Sequence, residues 1–110
     1  MKTYDEFHGE VDISNIGKRL REIAKNERNN FKILTGYGST CGKSKSKESA
    51  IKALTKMKKE GIIKGFLPGD INSKLIDETS PYYDTKNKYS GLIKKDEDFK
   101  NDGIIFVFIK

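Results

Sequence analysis

The sequence predicts an α/β (α+β) domain in β-α-β-α-β-β order. The expected form is a two-layer sandwich, with a mixed four-stranded sheet, two helices packed on it and a long connection before the last strand. Three observations carry this expectation. Short apolar runs bounded by turn residues alternate with segments of helical period through residue 69. The run at 104–109 is apolar on both faces, as a central strand requires. Between them lies a polar connection, 70–102.

The length of 110 residues fits one compact domain. Such a chain buries roughly two thirds of its extended-chain surface, enough for a core without disulfide or metal staples. Charged residues make up 35% of the chain, against about 25% in an ordinary soluble domain, so the core is lean. Thirteen isoleucines and eleven aromatics supply it, which sets the chain apart from disordered sequences.

Residues 3–7 alternate weakly and end at His8-Gly9, a strand running into a turn. Asp12 or Ser14 is placed to cap a helix whose apolar positions Ile16, Leu20, Ile23 and Ala24 recur with helical period, ending near Asn29-Asn30. Residues 31–35 form a short buried strand that leads into Gly36-Tyr37-Gly38-Ser39-Thr40-Cys41-Gly42-Lys43-Ser44. Ser46 can cap a second helix with Ala50, Ile51, Leu54 and Met57 inside and Gly61 at its C′ position. Residues 62–67 read as a strand stopped by Pro68-Gly69, and the polar connection is expected to hold a short helix near 74–79. Right-handed crossovers place the first two helices on one face, and ligands in such sheets collect at the carboxyl ends of parallel strands. There lie His8-Gly9 and the glycine loop.

No apolar run approaches the roughly 20 residues of a membrane-spanning helix. The N-terminal residues lack the apolar stretch of a signal peptide, and a lone Cys41 cannot form an internal disulfide, so the expected compartment is the cytoplasm.

The formal charge of +6 is unevenly placed. Residues 31–69 hold nine basic and two acidic residues, while 1–30 balance and 70–110 carry one net negative charge. A strand, a glycine-rich loop and a helix N-terminus together make an anion site. Gly42-Lys43-Ser44 is not a P-loop, because five residues separate Gly42 from Gly36 and three separate it from Gly38, where that motif requires four. Lys43, Lys45 and Lys47 oppose the helix macrodipole, an arrangement an anion such as a nucleic-acid backbone would relieve. Lys52, Lys56, Lys58 and Lys59 follow on the same helix, where a solvated lysine face is an adequate explanation for the last three. Tyr37, between two loop glycines, is either a base-stacking residue or an exposed loop tyrosine.

His8 is the only histidine, which excludes any mechanism that needs two imidazoles. A lone histidine is more often structural than catalytic, but Glu6 two residues earlier on a strand would share its face and could raise its pKa for acid/base chemistry. Cys41 near a helix N-terminus is a weaker nucleophile candidate, since the arginine a cysteine phosphatase would want is Lys47.

Glu6-Phe7-His8-Gly9 and Thr35-Gly36-Tyr37-Gly38-Ser39, in this element order, resemble the Asp-Leu-His-Gly and His/Thr-Gly-x-Gly motifs of the Smr (small MutS-related) domain family. The longer region after residue 69 is similar to that of some short stand-alone bacterial members. The resemblance implies nucleic-acid binding, to DNA or RNA, and in some members nicking or endonuclease activity. It places Glu6 and His8 at the family's acidic and histidine positions, and Gly36 and Gly38 at its loop glycines. Glu6 departs from the family by one methylene. On this reading Gly36, Tyr37, Gly38, Ser39, Lys43, Lys45 and Lys47 hold the phosphates, His8 acts as general acid/base oriented by Glu6, and a divalent Mg or Mn could sit on Glu6 and a neighbour such as Asp5. The alternatives are a non-catalytic module for RNA or a ribonucleoprotein, with His8 buttressing the turn, and a small-molecule phosphate enzyme using Cys41.

Overall fold

The computed structural model describes residues 1–7, 11–35, 45–73, 75–99, 101 and 103–110. Strands β1 (Lys2–Tyr4), β2 (Phe31–Leu34), β3 (Gly65–Pro68) and β4 (Ile104–Phe108) form one mixed sheet in the order β1-β2-β4-β3. β1 runs parallel to β2, with Tyr4 opposite Ile33, and β4 is antiparallel to both β2 and β3. The mixed four-stranded sheet and the central, fully buried β4 are as the sequence implies.

Helices α1 (Ile16–Asn26) and α2 (Lys45–Lys59) share one face, as right-handed crossovers require. There Leu20, Ile23, Leu54 and Met57 pack on Phe31, Ile33, Phe66, Ile105 and Val107. The opposite face carries a third helix, α3 (Tyr83–Ile93), whose Tyr89 and Ile93 close on Leu67, Ile104, Phe106 and Phe108. Sequence reasoning places no helix here, because the inward positions Thr85, Tyr89 and Ile93 form too thin an apolar stripe to stand out. β4 supplies the missing driving force: its residues are apolar on both faces and need a layer on each side.

The helix expected near 74–79 does not form among the described residues, which have no regular structure over 75–77. The Asp77 carboxylate accepts a hydrogen bond from the Thr79 amide, a local turn that competes with helix. β1 is also shorter than expected. It ends at Tyr4; Glu6 and Phe7 lie in a turn, where the Glu6 carbonyl accepts from the Val11 amide and the Phe7 ring is buried in the α1/α2 core. Neither Asp12 nor Ser14 caps α1. A 3₁₀ turn at Ile13–Asn15 leads into the helix, with the Asn15 amide on the Asp12 carbonyl. α1 ends at Asn26, and Asn30 serves the sheet instead: its Oδ1 accepts from the amides of Ile109 and Lys110 at 2.7 and 2.9 Å.

The end of α2 follows expectation. Gly61 has φ +79°, its amide donates to the Lys58 carbonyl, and Ile62 donates to Met57, which is a Schellman closure. β3 begins four residues later at an edge of the sheet, where Pro68 is tolerated. A 3₁₀ segment, Gly69–Ser73, follows.

Two glycines distinguish two kinds of constraint. At Gly61 a methyl group would meet nothing within 4 Å, so Gly61→Ala should cost about 1 kcal/mol from the left-handed backbone alone. At Gly69 a Cβ would lie 2.0 Å from the Asn101 carbonyl oxygen, and Gly69→Ala should cost about 3 kcal/mol. Urea midpoints of the two variants should rank in that order. Tyr89 stacks on Phe108 at 3.9 Å between ring centroids, and its buried hydroxyl has no hydrogen-bond partner among the described residues. Tyr89→Phe should therefore raise stability by about 1 kcal/mol, and a loss of that size would reveal a partner.

Candidate functional site

Because β1 and β2 are parallel neighbours, their carboxyl ends lie side by side. The chain leaves β2 through Thr35, which is fully buried; its amide and Oγ1 both donate to the Gly103 carbonyl, at 2.6 and 2.9 Å. This anchors the start of the glycine-rich segment, and α2 receives the chain again at Lys45. His8, Gly36, Tyr37, Gly38, Ser39, Cys41 and Lys43 lie outside the described residues.

Glu6 is described, and its surroundings differ from the expectation. β1 ends at Tyr4, so Glu6 lies in the turn beyond it and not on a strand; the pairing expected with His8 falls outside the described residues. The Glu6 carboxylate forms a bidentate pair with Arg19 of α1, each oxygen accepting at 3.0 Å. The guanidinium fixes the turn to the helix and puts a positive charge beside Glu6, which disfavours a cation there. Among the described residues no three His, Cys, Asp or Glu side chains converge to hold a metal. Among the described residues, Glu6 is engaged by Arg19 and no cluster of donors forms the Mg or Mn centre considered from the sequence.

Among the described residues, six cations of the 31–69 block form two contrasting groups, while Lys58 and Lys64 are exposed apart from both. Lys32 is 3% exposed. Its strand neighbours Phe31 and Ile33 face α1 and α2, so alternation turns Lys32 to the opposite side. There its ammonium meets Asp96 and Asp98, each at 2.7 Å. Burial pushes the Lys32 pKa down, but the hydrogen bonds to the two carboxylates outweigh it and hold the pKa above the usual lysine range. Asp98 is held below the usual carboxylate range chiefly by its bond to Lys32. Lys47, expected in the phosphate site, lies 3.1 Å from Asp70 Oδ1, so the macrodipole argument for an external anion loses one of its three lysines.

The second group faces water. Lys45, Lys52, Lys56 and Lys59 of α2 are all exposed. Their spacing of seven, four and three residues puts them on one face of the helix, opposite the buried stripe of Ala50, Leu54 and Met57. Glu48 is the single acidic residue of α2. Glu60, just past the helix, has its oxygens on Arg21 of α1 at 2.6 and 3.1 Å. Among the described residues no carboxylate forms an ion pair with any of these four lysines. From Lys45 to Lys59 the track is about 21 Å long at 1.5 Å per residue. It starts where the glycine-rich segment ends.

From sequence alone a solvated face is an adequate explanation for Lys56, Lys58 and Lys59, and Asp96 and Asp98 have no evident role. The periodicity of the lysines was readable in the sequence; the pairing of Lys32 across 64 residues was not. Comparison with family models, with curated proteins and with solved structures finds no match for this chain.

The Lys32 cluster makes a signed prediction. A raised lysine pKa stabilises the fold below its unfolded value of about 10.4 and is lost only as pH rises through the folded value. A depressed Asp98 pKa stabilises above about 3.9 and is lost as pH falls through the folded value. The cluster's contribution should thus be flat from about pH 5 to 9 and decline below about pH 4. Lys32→Met should cost about 3 kcal/mol at pH 7, because two facing carboxylates lose their counter-charge. That cost should shrink on acidification as Asp98 protonates. Urea denaturation of both proteins at pH 7 and at about pH 3 checks it, and an undiminished cost at the lower pH would assign the loss to packing.

Proposed function

We propose that this protein binds nucleic acid, DNA or RNA, through the outer face of α2 and the glycine-rich segment that precedes it. The observation that carries the proposal is the line of Lys45, Lys52, Lys56 and Lys59, exposed and without ion-pair partners among the described residues. Phosphates of one strand recur every 3.4 Å or so along a duplex, and release of their counterions rewards such a row of ammonium groups. The helix N-terminus at Lys45 adds amide donors of the kind that bind phosphate. The resemblance of the Glu6-to-Gly9 and Thr35-to-Ser39 motifs to the Smr family supports the same reading. Strand scission would depend on His8, and the proposal is confined to binding.

A salt titration tests it. Binding to a fluorescent oligonucleotide should weaken linearly in log–log form as salt rises. Replacing Lys45, Lys52 and Lys56 by Gln should flatten the slope by roughly two to three, at about 0.7 to 0.9 per phosphate contact. Replacing Lys94, Lys95 and Lys110 by Gln removes the same net charge elsewhere and should leave the slope nearly intact. Equal slopes for the two triple variants would mean that overall charge, not this face, binds the strand.

A further inference from the structure

The lysine track ends at a groove. Thr55, Lys58 and Lys59 of α2 form one wall, Pro81 and Tyr82 the other, and Phe66 of edge strand β3 the floor, enclosing about 440 Å³. That volume lies within the range of small-molecule sites. The Phe66 and Tyr82 rings meet edge to face, 5.6 Å apart at 84°. Tyr82 reaches around the free edge of the sheet from the start of α3, and its backbone is set in place: its amide donates to Ser80 Oγ, and its carbonyl accepts from the Lys86 amide. Pro81 fixes its own φ. The aromatic wall is therefore held before any ligand arrives. Burial and the nearby Asp70 both push the Tyr82 hydroxyl's pKa up, so the ring stays uncharged and does not repel a phosphate.

Lys58 and Lys59 give the rim positive charge, and among the described residues neither is ion-paired to a carboxylate. Lys59 belongs both to the rim and to the track. A ligand that suits the whole arrangement has regularly spaced negative charges followed by a flat, largely apolar group, which is a nucleotide strand with an unpaired base. In a duplex each base stays within the stack and cannot enter a groove at the protein surface. An unpaired base at a strand end, in a bulge or in a single strand can, and aromatic side chains accept any base through its face.

We infer that the Phe66–Tyr82–Pro81 groove receives one unpaired base of a bound strand while Lys58 and Lys59 hold its phosphates, so that this protein prefers single-stranded or locally unpaired nucleic acid. This rests on the nucleic-acid reading above and deepens it.

The test measures binding of the wild-type chain to a twelve-nucleotide single strand, to the same strand made abasic throughout, and to the matching duplex, each by fluorescence anisotropy over a range of salt. The base-bearing strand should bind roughly 5- to 100-fold more tightly than the abasic one, the span that stacking of one base supports. Tyr82→Leu, which keeps apolar volume and removes the ring, should lose most of that difference and leave duplex affinity within about twofold. If abasic and base-bearing strands bind alike while the salt slope persists, the groove inference is overturned and the lysine track survives. Absence of salt-dependent binding to all three overturns both. Polyglutamate binding as tightly as the base-bearing strand would mark a general polyanion surface and also overturn the groove. Should Tyr82→Leu fail to fold, the abasic comparison on the wild-type chain still decides.

Discussion

A lysine in a central strand constrains much of this fold. Lys32 sits on β2 with its side chain directed to the face opposite α1 and α2, and a buried ammonium without counter-charge would be very costly there. Its two carboxylates come from the far end of the chain, so the segment after α3 must return over the sheet to deliver them. That return places Asn101 against Gly69 at the end of β3, and it places the Gly103 carbonyl where Thr35 can use it. One ion cluster thus ties together the second face of the sheet, the end of β3 and the point where the glycine-rich segment begins. Such clusters are weak as sources of net stability, but one whose charges match only in a single arrangement penalises every other packing.

The same cluster changes what the basic middle of the chain means. Nine positive charges between residues 31 and 69 suggest a broad cationic surface. Lys32 is inside and neutralised, and Lys47 is paired with Asp70. Among the described residues the exposed cations of this block lie, Lys64 apart, on α2, most of them in a row that runs from the glycine-rich segment towards the groove beside Tyr82. A directional row suits a strand better than it suits a compact anion. Arg19 and Arg21, both partly exposed, are engaged by carboxylates of this chain, pinning the Glu6 turn and the end of α2 to α1.

Much of the layout was legible from residues alone, because it rests on local periodicity and turn chemistry. Ile16, Leu20, Ile23 and Ala24 mark the buried side of α1, and Ala50, Leu54 and Met57 mark that of α2. Gly61 marks the helix end, since few other residues adopt its backbone. The unbroken apolar run of β4 announced a strand covered on both sides without revealing what covers the second. α3 escaped because its inward stripe is Thr85, Tyr89 and Ile93, which gains meaning only against Phe106 and Phe108. The extent of β1 escaped for a related reason: the burial of Phe7 takes the chain off the sheet before Glu6, and nothing in the local alternation signals it.

The sequence by itself determined the class of the fold, the order of its strands and first two helices, and the concentration of positive charge in its middle third. These follow from spacing within a few residues. Which of those charges are available, and where they point, was decided only by tertiary structure. Charge pairing depends on distance in space, and Lys32 meets Asp96 across 64 residues of sequence. The groove is likewise a product of assembly, for Phe66 and Tyr82 belong to separate elements that meet only when α3 closes the second face.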